Sequence, residues 1–213
     1  MTKPLMSSIQ WGMEVNMPYN FVMAGILEAK KLKTMDDLLR SDDERVELID
    51  GEIVKRPMAR SEHALVQSSL SDEVSIFKRK DGLGGWWIMT EISVKYNEHQ
   101  CPSHDLAGWR KERVPLRPMG IMNIIPDWVC EIISPRHERK DLFHNFMLLQ
   151  RSKVPYYWVI SPEDKTLIAY GLVDEKYHVT FSVEYGAERD VNKARIPPFE
   201  EIEIDLKYVF GDE

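Results

Sequence analysis

Two carboxylates carry the strongest chemical suggestion in this chain. Glu131 sits inside Trp128-Val-Cys-Glu-Ile-Ile133, an otherwise apolar run, where an ionised carboxylate is costly unless it is paired or bound to a cation. Two partners stay open at this stage: a salt bridge to Arg136 or Arg139, or a metal ion. Asp105 opens a second apolar run, Ser103-His-Asp-Leu-Ala-Gly-Trp109; alone, such an aspartate is ordinarily a turn residue. Brought together from neighbouring strands, the pair could hold Mg²⁺, which prefers oxygen ligands and keeps several waters for chemistry on phosphate. His63 falls on an apolar helical stripe and by itself reads as a core histidine. His99, Cys101 and His104 have spacings that could contribute to a zinc site, but no second cluster completes four ligands. Glycine-rich phosphate loops and a nucleophile elbow are missing from the sequence, which leaves nucleotide-driven and serine-hydrolase chemistry without support.

The elements that must position these residues follow from periodicity. Thr34 is placed to cap a short helix over 35–40, with Asp36 and Asp37 in its first turn. Asp50-Gly51 between two apolar runs predicts a hairpin. From Ser61, the spacing of His63, Val66, Leu70, Val74 and Phe77 predicts a helix to about Lys80 that packs one stripe on a sheet. Strands are expected over 86–89, 92–96 and 104–106, and the continuous apolar run 126–133 suggests a buried central strand. A helix over 140–152 and strands over 156–160, 166–170 and 177–183 complete a mixed central β-sheet flanked by helices, of the α/β or α+β class, with the hairpin near its start.

At 213 residues, 43% hydrophobic and with six tryptophans, the chain can build one sizeable core. Residues 1–33 are Met-rich and weakly periodic and are expected to be an N-terminal extension to a single domain over 34–213. No apolar run approaches the roughly 18 residues of a membrane span, no signal core precedes a small-residue cleavage site, and two cysteines are too few for a disulfide framework. A cytoplasmic protein without membrane association is expected. The formal charge of −7 argues against sequence-independent coating of DNA, which needs clustered Lys and Arg, but leaves room for local patches such as Arg110, Lys111, Arg113 and Arg117. The tryptophans could stack bases, although their places in strand patterns favour the core.

Several stretches agree in order and spacing with one family. Val46-Glu-Leu-Ile-Asp-Gly-Glu52, His63 on the next helix, Asp105-Leu-Ala-Gly-Trp-Arg110, Pro126-Asp-Trp-Val-Cys-Glu-Ile-Ile-Ser-Pro135, Lys140-Asp141 and Val154-Pro-Tyr-Tyr-Trp-Val-Ile160 together resemble the Uma-two family, assigned to the endonucleases of the PD-(D/E)xK superfamily. The likeness runs from about Thr34 to about Leu206. It implies a restriction-endonuclease-like core, hydrolysis of DNA phosphodiester bonds dependent on Mg²⁺ or Mn²⁺, and a homodimer. Asp105 matches the motif aspartate and Glu131 the second acidic ligand, while Glu47 and His63 match recurrent polar positions beside the site.

This chain departs from that pattern in three places. Ile133 stands two residues after Glu131, where the superfamily has a lysine. Asn145 stands where family members place a lysine on the following helix, so that Lys140 or Lys95 would have to substitute. His104 replaces the usual proline before the aspartate. These departures motivate a second expectation, a catalytically impaired nuclease-like fold serving as a binding or assembly module.

Overall fold

The structure is a computed structural model that describes residues 31–133, 138–186 and 191–212, with only the backbone described for 138–141. Nearly all of the expected N-terminal extension, and the side chains of Arg136, Arg139 and Lys140, therefore lie outside the described residues. Leu32–Glu213 forms one compact unit.

Helix α1 (Met35–Leu39) starts where Thr34 predicts: the Asp37 carboxylate accepts the Thr34 N–H at 2.9 Å, satisfying a donor that the helix cannot. The hairpin of β1 (Val46–Ile49) and β2 (Glu52–Lys55) turns through Asp50 and Gly51. Both have positive φ, 49° and 72°, as the tight twisted turn requires. Leu48 bridges to Cys101 through reciprocal backbone bonds, which pins this hairpin beside the main sheet.

Helix α2 (Ser61–Glu73) continues as a 3-10 turn, Val74–Lys78, slightly short of the predicted end. Its stripe of Val66, Leu70, Val74 and Phe77 is buried as predicted. Strand β3 (Trp86–Ser93) then joins two segments expected to be separate, and β4 (Ser103–Arg110) runs longer than expected. After β5 (Trp128–Ile132) come α3 (Glu138–Arg151), β6 (Tyr156–Ser161), β7 (Thr166–Val173) and β8 (Lys176–Glu184). A short pair, β9 (Lys193–Ala194) with β10 (Ile204–Asp205), and helix α4 (Leu206–Val209) finish the fold; their brevity left no periodic signal in the sequence.

The central sheet has six strands in the order β3-β4-β5-β6-β7-β8. All neighbours are antiparallel except β5 and β6, which run parallel across the α3 crossover. This is the mixed, helix-flanked sheet that the sequence predicts. One face packs Trp86, Ile88, Leu106, Trp128, Cys130 and Trp158 against the α2 stripe. On the other face Ala107, Trp109, Val129 and Tyr157 pack with Leu149 of α3. Trp109, Trp128 and Trp158 are wholly buried, so the core reading of these tryptophans holds and base stacking on them does not. No helix among the described residues is long and apolar enough to cross a membrane.

Candidate functional site

The β4–β5 ladder stops at Leu106 opposite Cys130. One step further along the same register, Asp105 stands across from Glu131, and there side chains take over from backbone pairing. The Ile132 N–H donates to Asp105 Oδ2 at 2.6 Å. The two strands are thus clasped at the point where they begin to part.

A change of face occurs at the same level. In a strand, alternate residues share a face, and β3 obeys this rule from Trp86 and Ile88 on the α2 side to Trp87 and Met89 on the α3 side. Glu91 has φ 49°, a left-handed conformation that glutamate rarely adopts. Beyond it the parity reverses: Ile92 and Val94 pack on the α3 side. On β4, Leu106 faces α2, whereas His104, two residues away, meets Tyr96 on the α3 side. Between the reversals, Glu91 and Asp105 both turn toward α2.

Helix α2 meets them with residues four apart, which share a helix face. His63 Nε2 lies 3.2 Å from Asp105 Oδ1, and the Gln67 amide donates to Glu91 Oε1 at 3.0 Å and to the Asp105 carbonyl at 2.8 Å. Arg56, just past β2, donates to Glu91 Oε2 at 2.7 Å and to Ser103 Oγ at 2.9 Å. His63, Glu91 and Asp105 each present one ligand atom within 4.8 Å of the others; this is the one such group among the described residues. An imidazole nitrogen with two carboxylates suits a divalent cation. The Asp105 charge raises the His63 pKa above its ordinary value, chiefly through their hydrogen bond. Glu91 went unnoticed in the sequence because a charged residue in a strand ordinarily marks the solvent side; its conformation is a tertiary property.

Glu131 projects toward α3. Its Oε1 lies 2.5 Å from His104 Nδ1 and takes a 3.4 Å contact from the Asn145 amide, while His104 Nε2 meets the Tyr96 hydroxyl at 2.8 Å. Burial, with the Asp105 charge next in importance, pushes the Glu131 carboxyl well above its ordinary range, and burial pushes His104 down to about 4. Both shifts favour uncharged forms, as expected for polar groups withdrawn from water. Glu47 on β1 accepts the Ser103 N–H at 3.2 Å, and its own burial lifts its pKa to about 7. Asp105, Glu131, Glu47 and His63 are therefore neighbours, in two subsets: Asp105 and His63 on the α2 side, Glu131 on the α3 side with Glu47 near the start of β4.

Other expectations place differently. Lys95 pairs with Glu98. His99 contacts the Lys33 carbonyl and Cys101 is buried under the hairpin, so no zinc cluster joins them with His104 among the described residues. Arg110 lies five residues along β4 from Asp105, roughly 17 Å. Arg113 is paired with Asp127 at 2.6 Å, and Lys111 donates to the carbonyls of Lys78 and Arg79. These residues are committed to structure at the far end of the strand; the guanidinium beside the carboxylates is that of Arg56.

Comparison with known proteins agrees with this fold. The solved structure of a putative nuclease belonging to DUF820 from Anabaena variabilis ATCC 29413 is similar with a TM-score of 0.66 and 22% sequence identity, covering 84% of this chain and 97% of that one. No curated protein matches. The Uma2 family model, described as "Putative restriction endonuclease", matches residues 32–204, a span that holds the hairpin, α2, the whole central sheet and every residue of the site, and the chain belongs to the Uma2 family.

Proposed function

We propose that this protein is a divalent-metal-dependent endonuclease that hydrolyses DNA phosphodiester bonds using Mg²⁺ or Mn²⁺. The observation that carries the reading is the clasp at the parting of β4 and β5, where Asp105 stands opposite Glu131 with His63 and Glu91 at hand. A bound cation would polarise a phosphate oxygen and lower the pKa of its water. Asp105 is placed to ligate it with one oxygen while Ile132 N–H holds the other. Glu131, held by His104 and Asn145 on the α3 side, and Glu47, near the start of β4, are the further acidic groups nearby, His63 lies against Asp105, and Arg56 supplies positive charge for an anionic substrate. The family resemblance extends the proposal to a homodimer, and the two cysteines, which fit a reducing compartment, to the cytoplasm.

The test is cleavage of duplex DNA by the purified chain with and without Mg²⁺ or Mn²⁺. Cutting is expected only with metal. Asp105→Ala is expected to lower it by about a hundred- to a thousandfold, as loss of a group that stabilises transition-state charge does, while circular dichroism stays unchanged. Equal cutting by wild type and Asp105→Ala refutes the assignment.

One observation favours a second reading, a nuclease-like fold that acts as a binding or assembly module. Asn145 occupies the position of the family lysine and offers Glu131 an amide, not an ammonium. If wild type is inert with metal and Asn145→Lys gains cleavage, the module reading stands; an active wild type that Asn145→Lys does not improve removes it.

A further inference from the structure

The sequence pairs Asp105 with Glu131 as metal ligands, yet the structure surrounds the two carboxylates differently. Glu131 Oε1 is shared by His104 and Asn145. Its side chain is only 12% exposed. Glu91 is exposed, and its neighbours orient it without exhausting it: Gln67 donates to one oxygen and Arg56 to the other, whereas a carboxylate offers about four acceptor directions. Such outer partners are the usual means of aiming a ligand.

Two further observations point to the same residue. Among the described non-glycine residues with positive φ, Glu91 is the one inside a strand; Asp50, Lys153, Lys165, Asp174 and Glu175 all lie in turns. A strained backbone of this kind persists where surrounding structure enforces it, and it collects at functional sites. Its effect is to swing the Glu91 side chain to the α2 side, against His63 and Asp105. In addition, two ligands about 2.1 Å from one cation and at right angles lie about 3 Å apart, close to the 3.2 Å between His63 Nε2 and Asp105 Oδ1.

We propose that His63, Glu91 and Asp105 hold the divalent cation in this protein, that Glu131 stands off it under His104 and Asn145, and that the imidazole biases the site toward a transition cation such as Mn²⁺ over Mg²⁺. An all-oxygen set has no such bias, because nitrogen ligands strengthen binding of first-row transition ions over that of magnesium. This inference rests on the metal-binding half of the function proposed above and is independent of DNA cleavage.

The experiment is titration of the full-length chain with MnCl₂, followed by the paramagnetic resonance of free Mn²⁺, with Mg²⁺ added as competitor. One site per chain is expected. Glu91→Gln and His63→Gln each weaken it about tenfold or more, since even outer-shell losses cost that much, and Glu131→Gln stays within about threefold of wild type. Spin-echo spectra of the wild-type Mn²⁺ complex show ¹⁴N coupling that His63→Gln abolishes, and Mg²⁺ competes more effectively in that variant. The wild-type spectrum alone keeps the test decisive if a variant fails to fold. Absence of ¹⁴N coupling, absence of Mn²⁺ binding, or a Glu131→Gln loss as large as that of Glu91→Gln overturns the proposal. Mn²⁺ bound as described without any cleavage of DNA upholds it and sinks the nuclease reading instead.

Discussion

The two ends of the β3–β4 pair are made by the same two strands and have opposite character. At the Trp86–Arg110 end, residues alternate strictly between the two faces. Gly108 there leaves room for the rings of Trp86 and Trp128, and the Arg110 guanidinium lies over the Trp86 ring at 4.5 Å, an arrangement that settles charge against an aromatic face. The neighbouring cavity of about 350 Å³ is lined by Phe77, Leu83, Trp86, Arg110 and Lys111 among others, but no carboxylate–imidazole group gathers in it. At the other end the alternation breaks at Glu91, and carboxylates, an imidazole and a guanidinium collect where a regular pair would have continued the core. Regular alternation makes a sheet bury its apolar half; interrupting it brings polar groups onto a face that is otherwise dry.

The contrast can be sharpened first by pH. Glu47 belongs to the polar end, and burial raises its pKa from 4.5 to about 7. The folded state therefore holds its proton over a range where the unfolded state has lost it. Stability falls as pH rises from about 4.5 to about 7 and is level above, with roughly 3 kcal/mol at stake. Urea unfolding at pH 5 and pH 7.5 is expected to show this loss, and Glu47→Gln to reduce it. An undiminished loss in that variant would mean that Glu47 is not the group responsible.

Gly108→Ala probes the far end. A Cβ there would sit 3.2 Å from atoms of both Trp128 and Trp86, two rigid rings in a closed core, so a destabilisation of about 1–2 kcal/mol is expected. Metal binding at the polar end should be unchanged in the same preparation, and a loss of Mn²⁺ affinity would show that the two ends are not independent.

The smallest effect compares glycine with alanine. At Glu91 both replacements remove the carboxylate, but the positive φ makes the glycine variant more stable than the alanine variant by about 1 kcal/mol. At Met89, in the regular part of the same strand, the order should reverse, because glycine in a strand interior costs entropy. Thermal melts of the four variants check this, and the same order at both positions would remove the claim of strain at Glu91.

Much of the fold was legible because it rests on local rules. Asp50-Gly51 supplies the two positive φ values of a tight turn, the spacing of Val66, Leu70, Val74 and Phe77 makes a buried helical stripe, and the apolar run around Glu131 suggests the inner strand that β5 is. Asp105 and Glu131 stood out in the sequence as candidates, Glu47 and His63 only through the family resemblance, and the four lie near one another. Glu91 was not, since nothing in Met89-Thr-Glu-Ile92 announces a left-handed residue. The basic residues Arg110, Lys111 and Arg113 read as a local patch, and the structure sets Arg110 about 17 Å from Asp105 along an extended strand, a separation that clustering in the chain does not reveal.

By itself, then, the sequence determined the order of elements, the layered sheet and the chemical types at the site, because periodicity and turn chemistry act over a few residues. Only the tertiary structure decided which carboxylates face which helix. That choice depends on one backbone torsion at Glu91 and on where β4 and β5 stop pairing, and both are set by contacts among segments far apart in the chain.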